Sequence, residues 1–402
     1  MDETTKNYER RIKKHILAKS FSAWALPAKG LGITCGYQAK AFLDQGSINA
    51  DINEVRINEI NFRSLIKLSL HLTTAREVYW TILEGKCDRE QKFERLIASA
   101  PWSLIFPDSQ IPVGVRVSSF KSKLYHEGRL RDLAIKALST KGLIAEPFQK
   151  GSQRVWIKLN DNNISISIAM GGLPLYQRGF KKGLGHGAPL PEHLAASLTR
   201  QLMDYAPEES SHLKAIFNPF AGTGTLGFEA VIEQAHFTTN LWRTLGFQQW
   251  LCTPKKTVTH LEGQAQQKTP VPITFVEKDS ELAEQLAHNC ELFQKPLTTT
   301  IETKILNQDY SDVEIPRQDG STMVPMNPPL GLRLSHEPTL FRDIGVWISQ
   351  QNTSIFGYLL ASSKEKASTF INALGLGFSH QQKEVYHGGQ LLEVVFFKGG
   401  KA

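Results

Sequence analysis

From Leu213 onward, apolar strand-like runs alternate with stretches of helical periodicity, and this alternation restricts the fold more than any other feature of the chain. Leu213 to Phe217 leads into a helix from about Thr225, and Ile273 to Glu277 leads into a helix from Ser280 to Phe293. Met323 to Met326 precedes a helical stretch at Leu340 to Ser349, and Ser354 to Leu360 precedes another at Lys364 to Ala373. The apolar run Leu391 to Phe397 closes the series. Such an order predicts a doubly wound, mostly parallel α/β sheet. The polar, glutamine-rich stretch Thr253 to Pro272 interrupts it and is expected to be a surface insertion.

The pattern before Gly171-Gly172 differs. Phe21 to Pro27 reads as a short strand, followed by a mixed helical stretch to about Leu43. Leu65 to Leu83 suits either a helix or a strand. Ile111 to Ser118 alternates as a half-buried strand does, and Arg129 to Leu138 carries an apolar helical side. Strands at Arg154 to Leu159 and Ile164 to Ala169 are joined by Asn160-Asp161-Asn162-Asn163, residues that favour hairpin turns. The first part of the chain is therefore expected to be α+β.

A chain of 402 residues is too long for one ordinary core. Hydrophobic residues at 41% and charged residues at 21% give the balance of a globular protein. The formal charge of +7 permits a polyanionic partner without requiring one. Cys35, Cys87, Cys252 and Cys290 form no C-x-x-C pair, so reduced thiols are expected, with neither a zinc site nor disulfides. Met1 to Lys19 is charged and holds Asp2, Glu3 and Glu9, unlike a secretory signal or transit peptide. No apolar run approaches the roughly 20 residues that span a bilayer. A cytoplasmic protein without a bound metal is expected.

Chemistry concentrates in the second half. Asn218-Pro-Phe-Ala-Gly-Thr-Gly-Thr225 places Gly222 and Gly224 between a strand and a helix start, where backbone can approach a ligand and N–H groups can meet an anion. Alone, this is equally a tight βα turn. Glu277 ends the next strand, where a carboxylate can accept hydrogen bonds from ribose hydroxyls; it is equally a solvated acid at a strand end. Asp309, after Leu306, can accept a proton from an adenine amino group. Most informative is Met326-Asn327-Pro328-Pro329-Leu330-Gly331-Leu332-Arg333-Leu334, where two prolines stop a strand and leave carbonyls without local partners. The Asn327 amide oxygen and the Pro328 carbonyl can accept both hydrogens of a nucleobase amine and so align its nitrogen for methyl transfer.

With these motifs together, the chain resembles the THUMP-domain class I RNA methyltransferases, and especially the bacterial enzymes that make N2-methylguanosine in 23S ribosomal RNA. Asn218 to Ala230 resembles the family's D-P-F/M-C-G-S-G-T followed by E-A, and Asn327 to Leu334 its N-P-P-Y-G-E-R-L. Arg178-Gly-Phe-Lys181 and Ala188 to Ala196 resemble R-G-Y-R and A-P-L-K-E-x-L-A-A, and Val385 to Gly388 resembles L-Y-N-G. The resemblance implies S-adenosylmethionine as cofactor, with Asn218, Phe220, Gly222, Gly224 and Thr225 around its methionine part. It implies Glu277 at the ribose, Asp309 at the adenine, and Asn327, Pro328 and Pro329 at the target amine. It further implies a ferredoxin-like region at 1–60, a THUMP-like RNA-binding domain at 61–170, and a Rossmann-like methyltransferase domain at 171–402. The chain departs from the family at Asn218, where an acid is usual, and at Leu330, where an aromatic is usual.

Candidate phosphate contacts are Lys121, Lys123, Arg129, Arg131, Arg178 and Lys181, with Lys13 and Lys14 behind them. His186 and His387 lack metal-ligand spacing and fit a structural or RNA-facing place better. The expected partner is structured RNA, large-subunit rRNA or its precursor, with no membrane. Two other functions remain open. The N-P-P chemistry also suits adenine N6, and Asn218 with Leu330 also suits a non-catalytic RNA-binding or ribosome assembly factor.

Overall fold

The computed structural model describes residues 3–106, 112–149, 153–181, 190–264, 268–329 and 339–400. Two compact units form. The first comprises Met1–Pro27, Cys35–Gln177 and Arg243–Gln264; the second comprises Ala28–Thr34, Arg178–Trp242 and Ala265–Ala402.

The first unit is built on eight strands: β1 (Phe21–Pro27), β2 (Ser47–Ala50), β3 (Val55–Ile60), β4 (Ala75–Lys86), β5 (Val113–Phe120), β6 (Ala145–Pro147), β7 (Gln153–Asn160) and β8 (Asn163–Ala169). They form one sheet in the order β2-β3-β1-β4-β8-β7-β5-β6. Alternate residues such as Ile57, Val78, Val115, Ile157 and Ile166 pack into a core with the helices Phe62–His71, Glu90–Ser99 and Glu127–Ser139. The opposite register carries Trp24 stacked on Tyr79 at 4.0 Å, with the Lys158 ammonium 3.3 Å above the Trp24 ring. The β7–β8 turn sets Asp161 and Asn162 at φ 48° and 60°, the left-handed pair of a type I′ hairpin that Asn and Asp tolerate best.

The expected surface insertion is corrected here. The helix Lys255–Gln264 buries Val258 and Leu261 in the first unit's core, beside Leu245, Phe247 and Trp250. Arg243, the first residue of this segment of the unit, donates to the carbonyls of Gly171, Leu173 and Pro174. A stretch that is polar by composition is thus apolar on one face.

The second unit holds β9 (Leu213–Pro219), β10 (Ile273–Val276), β11 (Thr303–Leu306), β12 (Ser321–Met326), β13 (Ser354–Ala361), β14 (Phe378–His387) and β15 (Gln390–Gly399). Their order is β11-β10-β9-β12-β13-β15-β14, with β9 to β13 parallel and the last two antiparallel. Ile216 and Met323 enter one core cluster and their neighbours Phe217 and Val324 another, so both faces of the sheet are covered. The chain leaves β9 toward β10 on one side and returns through β12 on the other. Such a reversal opens a crevice at the carboxyl ends of the strands, where ligands bind in sheets of this kind.

Candidate active site

The carboxyl ends of β10, β9 and β12 are neighbours, because Val276 pairs with Pro219 and β9 pairs with β12 in parallel. Three groups of the sequence therefore meet at one edge: the glycine turn after β9, Glu277 after β10 and Asn327 after β12. Asp309 lies beyond β11, two strands from β9 on the same edge.

The turn is shaped by residues with distinct tasks. Phe220 is held at φ 58°, a left-handed conformation that costs a non-glycine residue about 1–3 kcal/mol, and its ring rests 4.6 Å from Tyr310. Gly222 sits at φ 54° and an added Cβ would meet nothing within 4 Å, so space lies open above it. Gly224, at φ 91°, is different: a Cβ there would fall 2.4 Å from the Phe228 ring. It lets the helix Thr225–Ala235 start close against its neighbours.

Asn218 departs from its expected place beside a ligand. It is 0% exposed, and its amide is consumed within the fold. Nδ2 donates to the carbonyls of Pro219 at 3.1 Å and Pro325 at 3.0 Å, while Oδ1 accepts the Gly227 N–H at 3.1 Å. The side chain ties β9 to β12 and satisfies a donor in the first turn of the helix. A carboxylate could accept the last bond but could not donate the other two.

Glu277 accepts the Gly222 N–H at 2.7 Å and the Asp279 N–H at 3.0 Å, which ties the open turn to the end of β10. Asp279 in turn caps the helix Ser280–Gln294 through the Leu282 N–H. Asp309 accepts from the Ser311 N–H and hydroxyl, and its other oxygen lies 3.7 Å from Lys278 Nζ. All six residues of β12 are buried; Asn327 is half-buried, Pro328 buried and Pro329 exposed. Oδ1 of Asn327 is buried with no hydrogen-bond partner among the described residues. A buried acceptor without a donor is unfavourable by about 1–3 kcal/mol unless a ligand supplies one. Leu330 to Leu334 lie outside the described residues, as do His186 and Ala188-Pro189.

Of the cations expected at RNA, Lys121 and Lys123 are exposed beyond β5, near Arg129 and Arg131 on the following helix. Arg129 is exposed but held by Glu90 through two bonds of 2.6 and 2.7 Å. Arg131 is partly exposed beside Asp132. Lys13 and Lys14 are exposed on the short turn Lys13–Leu17. Arg178 is a correction: it is 2% exposed and pairs with the buried carboxylate of Glu229 through Nε at 3.1 Å and Nη2 at 3.0 Å. No phosphate can reach a guanidinium so enclosed. Lys181 is likewise engaged, with Thr225 Oγ1 at 2.6 Å and Glu192 at 3.0 Å, at the start of the glycine-turn helix. Glu229 and Glu192 lie in motifs whose roles the sequence left unassigned. For Glu229 the available signal was an acid within two helical turns of the glycine turn, and for Glu192 an acid opening the helix that follows the basic linker.

The pieces fit a nucleoside cofactor: an open glycine turn, a strand-end acid bonded to it, and an unpartnered amide oxygen one strand away. Among the described residues, no group of His, Cys, Asp and Glu could hold a metal, and no helix is long and apolar enough to cross a membrane.

Comparison with known proteins agrees. The family profile UPF0020, described as an RMKL-like methyltransferase domain, matches residues 180–390. Ribosomal RNA large subunit methyltransferase K/L of Pseudomonas putida (strain W619) is 28% identical over 262 residues, 61% of this chain and 34% of that protein. Its counterpart from Legionella pneumophila is 24% identical over 350 residues, 82% of this chain and 46% of that protein. The chain thus spans less than half the length of these relatives. Among solved structures, the methyltransferase SMU.472, complexed with SAH, superposes with a TM-score of 0.74 at 18% identity, covering 96% of this chain and 99% of the other. TrmN from Thermus thermophilus superposes with a TM-score of 0.66 at 16% identity, covering 94% and 99%. These likenesses establish a mixed α/β methyltransferase fold with a mostly parallel sheet. The chain belongs to the UPF0020 family, and its RMKL-like domain is a methyltransferase whose cofactor is S-adenosylmethionine.

Proposed function

We propose that this protein methylates the exocyclic N2 amine of a guanosine in structured RNA, in the large ribosomal subunit or its precursor. The reading is carried by one observation, the buried Oδ1 of Asn327 at the end of β12, which has no hydrogen-bond partner among the described residues. A nucleobase amine is a poor nucleophile because its lone pair is delocalised into the ring. Asn327 Oδ1 and the Pro328 carbonyl accept its two hydrogens and hold the nitrogen in line; Pro329 stiffens the corner. The cofactor, when bound, supplies an electrophilic methyl group. Glu277 holds the ribose while keeping the Gly222 loop in place, Asp309 accepts from the adenine amine, and Phe220, Gly222, Gly224 and Thr225 shape the methionine end. No strong base is required, because an alkylated amine sheds its proton readily.

The RNA target is supported by the K/L relatives, which are ribosomal RNA large subunit methyltransferases. We assign residues 61–170 to a THUMP-like RNA-binding region, 1–60 to a ferredoxin-like companion and 171–402, apart from 171–177 and 243–264 that pack in the first unit, to the methyltransferase, acting in the cytoplasm. Lys121, Lys123, Arg129 and Arg131 would then meet phosphates.

Incubation of the protein with S-adenosylmethionine carrying a labelled methyl group and with large-subunit RNA, followed by nucleoside analysis, tests this. Label in N2-methylguanosine is the expected result. Label in N6-methyladenosine would move the target to adenine, and RNA binding without any label would leave a binding or assembly factor.

A further inference from the structure

Beside the open turn lies an ion pair that the chemistry above does not use. Lys181 Nζ donates to Thr225 Oγ1 at 2.6 Å and to Glu192 Oε1 at 3.0 Å. Both charged side chains are 13% exposed, so the pair is sheltered but still reachable. Thr225 is the first residue of the helix that follows Gly222 and Gly224.

We infer that Lys181 and Glu192 recognise the amino-acid end of the cofactor, the lysine facing its carboxylate and the glutamate its ammonium. This rests on the reading that the glycine turn holds S-adenosylmethionine. An ammonium has three donors, and Lys181 uses two of them within the fold. Because the Thr225 oxygen accepts from Lys181, its own O–H is left to donate to an incoming anion. Among the described residues Glu192 uses one carboxylate oxygen, on Lys181, and the other keeps its capacity as an acceptor. A zwitterion laid against an ion pair exchanges one set of opposite charges for another without burying net charge. Other charges of the unit are less suited. Arg178 and Glu229 are sealed at 1% and 0% exposure, and Glu277, bonded to the Gly222 and Asp279 N–H groups, is assigned to the ribose. Asn218 carries no charge and faces inward, so it cannot serve as the ammonium-directed acid, whereas Glu192 is tied through Lys181 to Thr225 at the helix start.

The pair is a positioning element of binding, and two ligands separate that role from a structural one. S-adenosylhomocysteine carries the amino-acid end; 5′-methylthioadenosine keeps the adenosine and the thioether but lacks it. By calorimetric titration, the unaltered protein should bind S-adenosylhomocysteine at least about tenfold more tightly. Lys181→Met should weaken that ligand by about 10- to 100-fold and leave methylthioadenosine within about twofold; Lys181→Arg should recover most of the loss. Glu192→Gln should weaken S-adenosylhomocysteine alone, by about tenfold. Equal weakening of both ligands, or no preference between them in the unaltered protein, overturns the inference and leaves the glycine-turn site standing. Failure of the unaltered protein to bind either ligand overturns the cofactor reading itself.

Discussion

Two asparagines end adjacent strands of the second unit's sheet, and the fold treats them in opposite ways. Asn218, near the end of β9, is fully buried, with both donors and its acceptor engaged by Pro219, Pro325 and Gly227. Asn327 after β12 keeps a buried oxygen without a partner among the described residues. Polar groups in this unit thus divide into those that hold the sheet ends and helix together and those left open, which the proposed function assigns to a ligand. The Arg178–Glu229 pair belongs to the first kind and the space over Gly222 to the second. Satisfied groups should betray themselves by stability, open ones by binding and rate.

The largest stability effect is expected at Arg178. Replacing it with methionine leaves Glu229 buried without its cation, which costs about 3–5 kcal/mol, whereas Arg178→Met combined with Glu229→Leu should recover most of that loss. Burial already pushes the Glu229 carboxyl up to about 7, with Arg178 pulling the other way. A carboxyl raised in the folded state contributes stability that is full below its unfolded value and is lost as pH rises through the folded one. Removing Arg178 removes the downward pull, so the deficit should be smallest in mild acid and grow past neutrality. Urea unfolding across pH 5 to 8 measures it. A loss under about 1 kcal/mol, the range of an exposed pair, would return Arg178 to the surface and to RNA.

Asn327→Ala should reverse the pattern. Methyl transfer should fall by about 100-fold or more, equivalent to about 2.7 kcal/mol of barrier, while RNA affinity stays within error and thermal stability does not fall. Single-turnover rates and a melting curve on the same preparation decide this. A variant that loses stability and keeps its rate would place Asn327 with Asn218, and the contrast between them would be gone.

At Asn218 the informative change is to the acid that related sequences carry. Asp at 218 would face the Pro219 and Pro325 carbonyls without a proton to give them, so Asn218→Asp should lose about 1–3 kcal/mol at neutral pH. Acid should relieve the loss, because a protonated carboxyl regains a donor. An unchanged unfolding midpoint with tighter cofactor binding would show instead that the position faces the ligand.

Which groups were visible in the sequence follows from the range of the interactions that fix them. The Asn160 to Asn163 hairpin was legible because the left-handed φ values of Asp161 and Asn162 are a local demand that Asn and Asp meet. The strands β9, β10, β12 and β13 were legible because burial on both faces makes them continuous apolar runs. β14 was not: it is the edge strand, and Ser379 to Glu384 are all exposed and polar, with no alternation to detect. Residues 255–264 were misjudged because only Val258 and Leu261 on one face reach a core most of whose members lie far away in sequence. Arg178 was assigned to RNA because nothing near it in sequence reveals Glu229, 51 residues on. Asn327 could be singled out from its prolines, but its missing partner is a fact about the fold around it.

The smallest stability effect is expected where the turn is most open. Gly222→Ala introduces a methyl group that meets nothing within 4 Å, so only the left-handed backbone at φ 54° opposes it, at about 1 kcal/mol. Gly224 offers no such clean test, because a Cβ there would strike Phe228 and Leu286. If the space above Gly222 is where the cofactor's backbone-facing edge lies, the same methyl group should weaken S-adenosylhomocysteine by about tenfold or more, since overpacking costs about 1–3 kcal/mol. The ratio of the two effects is the measurement. A change that costs little in unfolding and much in binding marks a surface shaped for a ligand, whereas equal small losses would mean that Gly222 serves only the bend of the chain.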